Sequence, residues 1–225
     1  MIDLSRPTAR RGFFGRLAAI AALPVAGSAF TRTSYEMGTA QPSPDERWLK
    51  TLTRKHRVAF DVETHKNGNA LLQGKNYLNS WRDAFGVAES EVNLVMAVRG
   101  TGIPLVLNDA LWQKFHLGEQ YGINDPTTKA PGTRNLFIDA NIVPGGAVDS
   151  GSSVQALQKR GVLFLVCHNT IEGATKKLSA AGFGTPESVR TSILGGIVPG
   201  VLVVPAMVIA FTEMQERGVG YIYAG

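Results

Sequence analysis

The residue with the clearest chemical potential is Cys167, the single cysteine among 225 residues. It follows the apolar run 162–166, which is typical of a central strand buried on both faces, and a helical pattern comes after it. Asn169 or Thr170 can cap that helix, which leaves the thiol near the first free N–H groups. Such a position favours the thiolate, which can attack sulfane sulfur and carry it as a persulfide, or form a mixed disulfide.

A lone cysteine also has a purely structural interpretation, because free cysteines are among the most buried residue types. Cys167 has no cysteine partner within the chain, so the thiol is buried and inert, pairs with another chain, or is used chemically. Neighbouring residues of an extended strand point to opposite faces, so we do not expect Cys167 and His168 to form a pair. A histidine such as His168 is more often a capping or packing residue than a functional one.

Five apolar segments separated by helical patterns are the elements that must position these residues. The strands are expected at 57–63, 92–98, 162–166, 201–204 and 221–223. Apolar residues at helical spacing predict helices near 71–85, 108–115, 154–161, 171–181, 187–194 and 207–214. Strands that alternate with helices predict a three-layer α/β/α fold with a mostly parallel sheet of about five strands.

The carboxyl ends of parallel strands form the edge where such sheets bind ligands. Six residues at this edge are candidate binding residues around Cys167: His65, Arg99, His168, Asn169, Thr170 and Pro205. His65, His168 and Cys167 could also offer nitrogen and sulfur ligands to zinc or copper, although no pair has ligand spacing on one element. We expect no cofactor, because the glycines at 100 and 102 lack the rest of a dinucleotide fingerprint.

The segment 117–151 is rich in Gly, Pro, Asn and Asp and is too long for an ordinary connection. We therefore expect it to be functional or to contain short elements that periodicity does not reveal. Trp112, Phe115 and Tyr121, in and just before this segment, are expected in the core or in subunit contacts.

An export signal is predicted at the N-terminus. Arg10 and Arg11 precede two phenylalanines and the apolar stretch 17–30, which is the order of a twin-arginine leader. Fourteen helical residues rise about 21 Å, short of the roughly 30 Å hydrocarbon core, so the leader is not a spanning anchor. We predict a signal peptide at 1–30, a linker at 31–50 and an α/β domain at 51–225, with a periplasmic location.

The charge distribution argues against nucleic acid as a partner. The net charge is +5, of which residues 1–34 carry +4 and the remainder +1. The charge-free stretch 193–211 is not expected to span a membrane, because Pro199, Pro205 and three glycines would break a lipid-facing helix. We interpret it as a helix end, a Pro-Gly turn, a buried strand and the start of another helix.

Three segments together resemble the DsrE/DsrF-like family of sulfur-relay proteins: VCHNTI at 166–171, PGVLVVP at 199–205 and QERGVGYI at 215–222. The resemblance covers roughly 58–223 and is most specific in the C-terminal part. It implies a small parallel α/β fold assembled as trimers or hexamers, in which the cysteine matching Cys167 carries transferred sulfur near a subunit boundary. Gly200 and Pro205 match shaping positions, and Asn169 and Thr170 fit the pattern after the cysteine.

Three functional hypotheses follow. The first is an exported sulfur carrier or sulfurtransferase-like protein that uses Cys167 as sulfane-sulfur acceptor, with a donor or acceptor protein as partner. Whether it turns over as an enzyme stays open, and any acceptor thiol must come from another molecule. The second is a non-catalytic oligomeric protein that binds a small ligand or a partner chain. The third, weaker hypothesis is a metal-binding protein.

Overall fold

The folded domain is seen in a computed structural model that describes residues 46–139, 149 and 151–225. The predicted signal peptide, the linker up to residue 45, and positions 140–148 and 150 of the long segment lie outside the described residues. The described residues begin with a 3-10 helix over Glu46–Thr51, ahead of position 51, where the domain was expected to start. Trp48 and Leu49 of this turn are buried against the sheet.

Five strands and seven α-helices make up the described residues. The strands are β1 (His56–Thr64), β2 (Val92–Thr101), β3 (Leu163–Cys167), β4 (Val201–Val204) and β5 (Gly220–Tyr223). The α-helices are α1 (Asn69–Phe85), α2 (Asp109–Lys114), α3 (Leu117–Tyr121), α4 (Val154–Lys159), α5 (His168–Ala180), α6 (Pro186–Gly195) and α7 (Met207–Glu216). Further 3-10 turns cover Lys66–Gly68, Glu89–Glu91 and Ile103–Val106.

The sheet has the order β4-β3-β2-β1-β5, and every neighbouring pair is parallel. With helices on both faces, the predicted three-layer α/β/α fold with five strands is confirmed. The predicted order of elements in 193–211 is confirmed, because α6 ends at Gly195, a turn at Pro199 and Gly200 follows, and β4 leads into α7. The expectation of a buried strand is wrong, because β4 lies at the edge of the sheet and exposes Leu202. Within the described ranges, every helix is too short or too polar to cross a membrane.

Side-chain alternation along the strands builds two separate apolar layers. Phe60, Met96 and Phe164 face one side and pack with buried residues of α1 to α6. Val95 and Leu165 face the other side, which is covered by α7 and the turn at 46–51. The second layer is thin, and Cys167 belongs to it.

Helix α5 begins earlier than the sequence indicated. Cys167 itself is the N-cap residue, with φ −76° and ψ 127°, and no side chain caps the helix. The expected cap by Asn169 or Thr170 is therefore wrong. The hydroxyl of Thr170 accepts a hydrogen bond from the N–H of Gly100 instead, at 2.9 Å, and so ties α5 to the end of β2.

Candidate functional site

The register of the sheet brings Arg99 and Cys167 together. Val98 of β2 pairs with Val166 of β3, so the next residue of each strand lies at the same level. Cys167 in turn pairs with Val204 of β4. Arg99 and Cys167 both have the parity of the face covered by α7, and they stand side by side where their strands end.

An open pocket of about 490 Å³ lies beyond these strand ends. It is bounded by the end of β2, the first turns of α5, the start of α7 and Tyr121 of α3. The lining residues are Arg99, Gly100, Thr101, Tyr121, Cys167, Asn169, Thr170, Gly173, Ala174, Lys177, Met207 and Val208. This is the edge at which a parallel α/β sheet is expected to bind its ligand.

Cys167 forms part of the wall of this pocket. Only 5% of the residue is exposed, and apart from Arg99 it packs with the apolar residues of the layer beneath α7. The backbone N–H of Met207, the first residue of α7, donates a hydrogen bond to Cys167 Sγ over 3.4 Å. In general, an N–H that donates to a sulfur atom stabilises negative charge on that sulfur, which apolar neighbours cannot do.

Arg99 is held by a network that spans three strands. Its Nε and Nη2 donate to the two carboxylate oxygens of Asp61, at 2.7 and 2.9 Å, and its Nη1 donates to Glu63 at 2.9 Å. The hydroxyl of Tyr221 on β5 donates to Asp61 at 2.6 Å. Asp61 is buried, with 1% of its surface exposed. The network therefore holds the guanidinium of Arg99 in a fixed position beside Cys167, and the carboxylates of Asp61 and Glu63 neutralise its charge.

The hydrogen bonds of this network raise the pKa values of Arg99 and Tyr221. Hydrogen bonds to Asp61, above all, raise the pKa of Arg99 and keep the guanidinium charged. The hydrogen bond from Tyr221 to the same carboxylate raises the pKa of the Tyr221 phenol to about 12, so that hydroxyl remains a donor at neutral pH. We conclude that Arg99 and Tyr221 position neighbouring groups and are poor candidates for proton transfer.

The cation of Lys177 reaches the pocket from α5. Its Nζ lies 3.9 Å from the centroid of the Tyr121 ring and donates to the carbonyl of Gln120. Burial lowers the pKa of Lys177 and raises that of Tyr121 to about 12. His65 Nε2 lies 3.1 Å from the Tyr121 carbonyl oxygen, and its Nδ1 accepts from Asn67 N–H.

The other predicted site residues are distributed unevenly. Asn169 and Thr170 line the pocket with Arg99 and Cys167, whereas His65 reaches it only through Tyr121. His168 lies outside the pocket lining, with Nε2 3.7 Å from a carboxylate oxygen of Glu172, and no hydrogen bond joins it to Cys167. Pro205, which follows β4, is also outside the lining.

The metal hypothesis finds no support in this arrangement. Across residues 46–139, 149 and 151–225, no three His, Cys, Asp or Glu side chains form a cluster that could hold a metal ion. His65 is turned towards Tyr121 and His168 towards Glu172, so neither meets the thiol of Cys167. The three residues therefore share an edge of the sheet without sharing a site.

Sequence reasoning missed several residues of the pocket, notably Lys177 and Met207. Lys177 follows Thr170 by two helical turns, so the same face of α5 presents both to the pocket. That spacing was available in the sequence. Tyr121 was expected in the core or at a subunit contact, and it lines the pocket, while Trp112 and Phe115 are fully buried as expected.

Comparisons with known proteins give little beyond the geometry. No family model matches the chain, and no curated protein matches it. Among solved structures, the chain is similar to the protein of unknown function MTH1491 from Methanobacterium thermoautotrophicum. The two share 18% sequence identity with a TM-score of 0.40, over 75% of this chain and 99% of the other. Neither the fold described above nor the proposal below rests on that similarity.

Proposed function

We propose that this chain is an exported sulfur-handling protein that accepts sulfane sulfur on Cys167. The observation that carries the proposal is the position of the one thiol of the chain. It lies in the wall of a pocket at the carboxyl edge of the sheet, with a backbone N–H donated to its sulfur. The resemblance to sulfur-relay proteins and the predicted twin-arginine leader support it from the sequence.

The proposed transfer of sulfur to Cys167 requires few catalytic groups besides the thiolate. The thiolate attacks the outer sulfur of a sulfane donor, a new S–S bond forms, and the donor group leaves with the electron pair of the broken bond. No general base within hydrogen-bond reach is required once the thiol is ionised. Because the chain has a single cysteine, the persulfide must then pass to a thiol on another molecule, which we propose to be a partner protein.

Intact-mass analysis of the folded protein tests the proposal. After incubation with a sulfane-sulfur donor and removal of the excess, the mass is expected to increase by one sulfur atom and to return to its first value after treatment with a reducing thiol. Iodoacetamide should block the uptake when it is added first to the folded protein. If iodoacetamide modifies Cys167 only after denaturation, the proposal is refuted, because a sulfane-sulfur donor could not reach the sulfur of the folded protein either.

Replacing Met207 by proline is expected to slow the reaction of Cys167 with iodoacetamide about tenfold, because it removes the N–H that bonds the sulfur. Met207 is the first residue of α7, a position where proline is tolerated, and the preceding Ala206 has the extended conformation that proline requires. Alkylation rates at neutral pH measure the effect.

The matched control for this change is Met207→Ala, which also loses the buried side chain but keeps the N–H. We expect its alkylation rate to stay within about threefold of the unmodified protein, since the hydrogen bond to sulfur is retained. Equal rates for the proline and alanine variants would show that the Met207 N–H does not activate the sulfur.

The burial of Cys167 favours a second candidate function, that of a non-catalytic binding protein. The pocket is large enough for a small ligand, and on its rim Val208 is 68% exposed and the adjacent Ile209 is 59% exposed. Apolar side chains in such positions suit contact with another chain, in keeping with the oligomers that the family resemblance implies. In this case binding would survive the loss of the thiol, and no sulfur would be taken up.

A further inference from the structure

The charge of the pocket distinguishes between the sulfur donors that could enter it. Among the described residues, two cationic side chains line the pocket, those of Arg99 and Lys177, and no aspartate or glutamate does. The charge of Arg99 is matched by Asp61 and Glu63 within the network. Within the described part of the chain, Lys177 is in contact with a carbonyl oxygen and an aromatic ring, and no carboxylate neutralises it.

Lys177 is also held in place rather than free to swing away. The Tyr121 ring lies against its ammonium group, and the Gln120 carbonyl takes one of its three protons. The partners on α3 are fixed in turn by His65, which bonds the Tyr121 carbonyl. Lys177 remains in part exposed to solvent, and partial burial of its ammonium group lowers its pKa.

We propose that the donor is a small anion, a sulfonate that carries a sulfane sulfur such as thiosulfate, and that Lys177 binds its anionic end while Cys167 attacks the outer sulfur. This inference rests on the sulfur chemistry proposed for Cys167. The thiolate forms a bond to the outer sulfur, and the S–S bond of thiosulfate breaks. Sulfite leaves with that electron pair and the cysteine becomes a persulfide, so atoms and charge balance without an oxidant.

Two alkylating reagents of similar size but different charge measure the selectivity directly. Iodoacetate is an anion and iodoacetamide is neutral, so the ratio of their rates with Cys167 reports the potential at the sulfur. We expect Lys177→Gln to lower this ratio about fivefold, and added salt to lower it in the unmodified protein but not in the variant. Lys177→Arg, which keeps the charge, should retain most of the ratio.

The neighbouring Lys176 offers the matched control, because it is exposed on the same helix and lies outside the pocket lining. Lys176→Gln changes the net charge equally and is expected to leave the ratio unchanged. A ratio that falls as much in Lys176→Gln as in Lys177→Gln, or that stays constant in both, would overturn the inference while leaving sulfur uptake by Cys167 as a separate question.

Binding of thiosulfate to the Cys167→Ser variant, measured by calorimetry, keeps the two proposals apart. No transfer is possible there, so the affinity reports the pocket alone, and adding Lys177→Gln should weaken it about tenfold. If neither alkylating reagent reaches Cys167 in the folded protein, the sulfur-handling proposal fails and this measurement decides whether the pocket binds anions. Equal affinity with and without Lys177 would refute the anion site.

Discussion

Replacement of Cys167 by serine is expected to abolish sulfur uptake completely while leaving the fold and the pocket in place. The chain has no other thiol, and a hydroxyl at neutral pH does not attack sulfane sulfur. Serine still offers an acceptor atom to the Met207 N–H, so the contact between the end of β3 and the start of α7 can persist. Intact mass after incubation with the donor gives the result.

Stability measurements accompany this experiment. Burial of the serine hydroxyl is expected to cost no more than about 2 kcal/mol of the free energy of unfolding, because it keeps a hydrogen-bond partner. Cys167→Ala, which offers no acceptor, serves as the comparison. Sulfur uptake that persists in the serine variant would place the acceptor elsewhere and refute the assignment. An unmodified protein that binds a ligand but takes up no sulfur would favour the second candidate function.

Replacement of Asp61 by alanine is expected to lower the free energy of unfolding by about 3 kcal/mol, the largest single loss from the network around the site. The Asp61 side chain is 2% exposed and accepts three hydrogen bonds, two from Arg99 and one from Tyr221. Its removal leaves Arg99, whose side chain is 29% exposed, with Glu63 as its one remaining acidic partner among the described residues. Urea unfolding followed by circular dichroism measures the change.

Tyr221→Phe is the control for this substitution, because it removes a single hydrogen bond to Asp61 and keeps both bonds from Arg99. Its cost should be well below that of Asp61→Ala. The alanine variant is also expected to lose reactivity at Cys167, since Arg99 is no longer fixed beside the sulfur. Equal unfolding energies for the two variants would mean that the charge pair between Asp61 and Arg99 adds nothing to stability.

Most of the architecture could be predicted from the sequence, because hydrophobic runs bounded by turn residues mark each strand. The run at 162–166 placed Cys167 at a strand end. His168 does not pair with it, but the physical reason differs from the expected strand alternation, because His168 is the first residue of α5 and lies near Glu172. The same alternation, applied to β2, would have placed Arg99 beside Cys167 once the register was known. Register is a property of strand pairing, which no local pattern reveals.

The rest of the site depends on contacts between distant segments. Helix α3 has five residues, follows His116 in the left-handed conformation and ends at Tyr121 with Gly122 as its C-cap, so it is too short for periodicity to mark. Its Tyr121 meets Lys177 of α5 only in the folded chain. Residues 46–50 of the first turn fall within the predicted linker, because a single polar-to-apolar transition, at Trp48 and Leu49, gives no repeat to detect.

The position of β5 beside β1 has a consequence for the timing of folding. During synthesis β1 is made early, yet one of its edges stays open until residues 220–225 exist. Tyr221 pairs with Ala59, and the carbonyl of Gly225 accepts the N–H groups of Glu63 and Thr64. The edge of β1 can therefore be covered only after residues 220–225 have been made, so closure of the five-stranded sheet follows synthesis of all the segments that lie between β1 and β5.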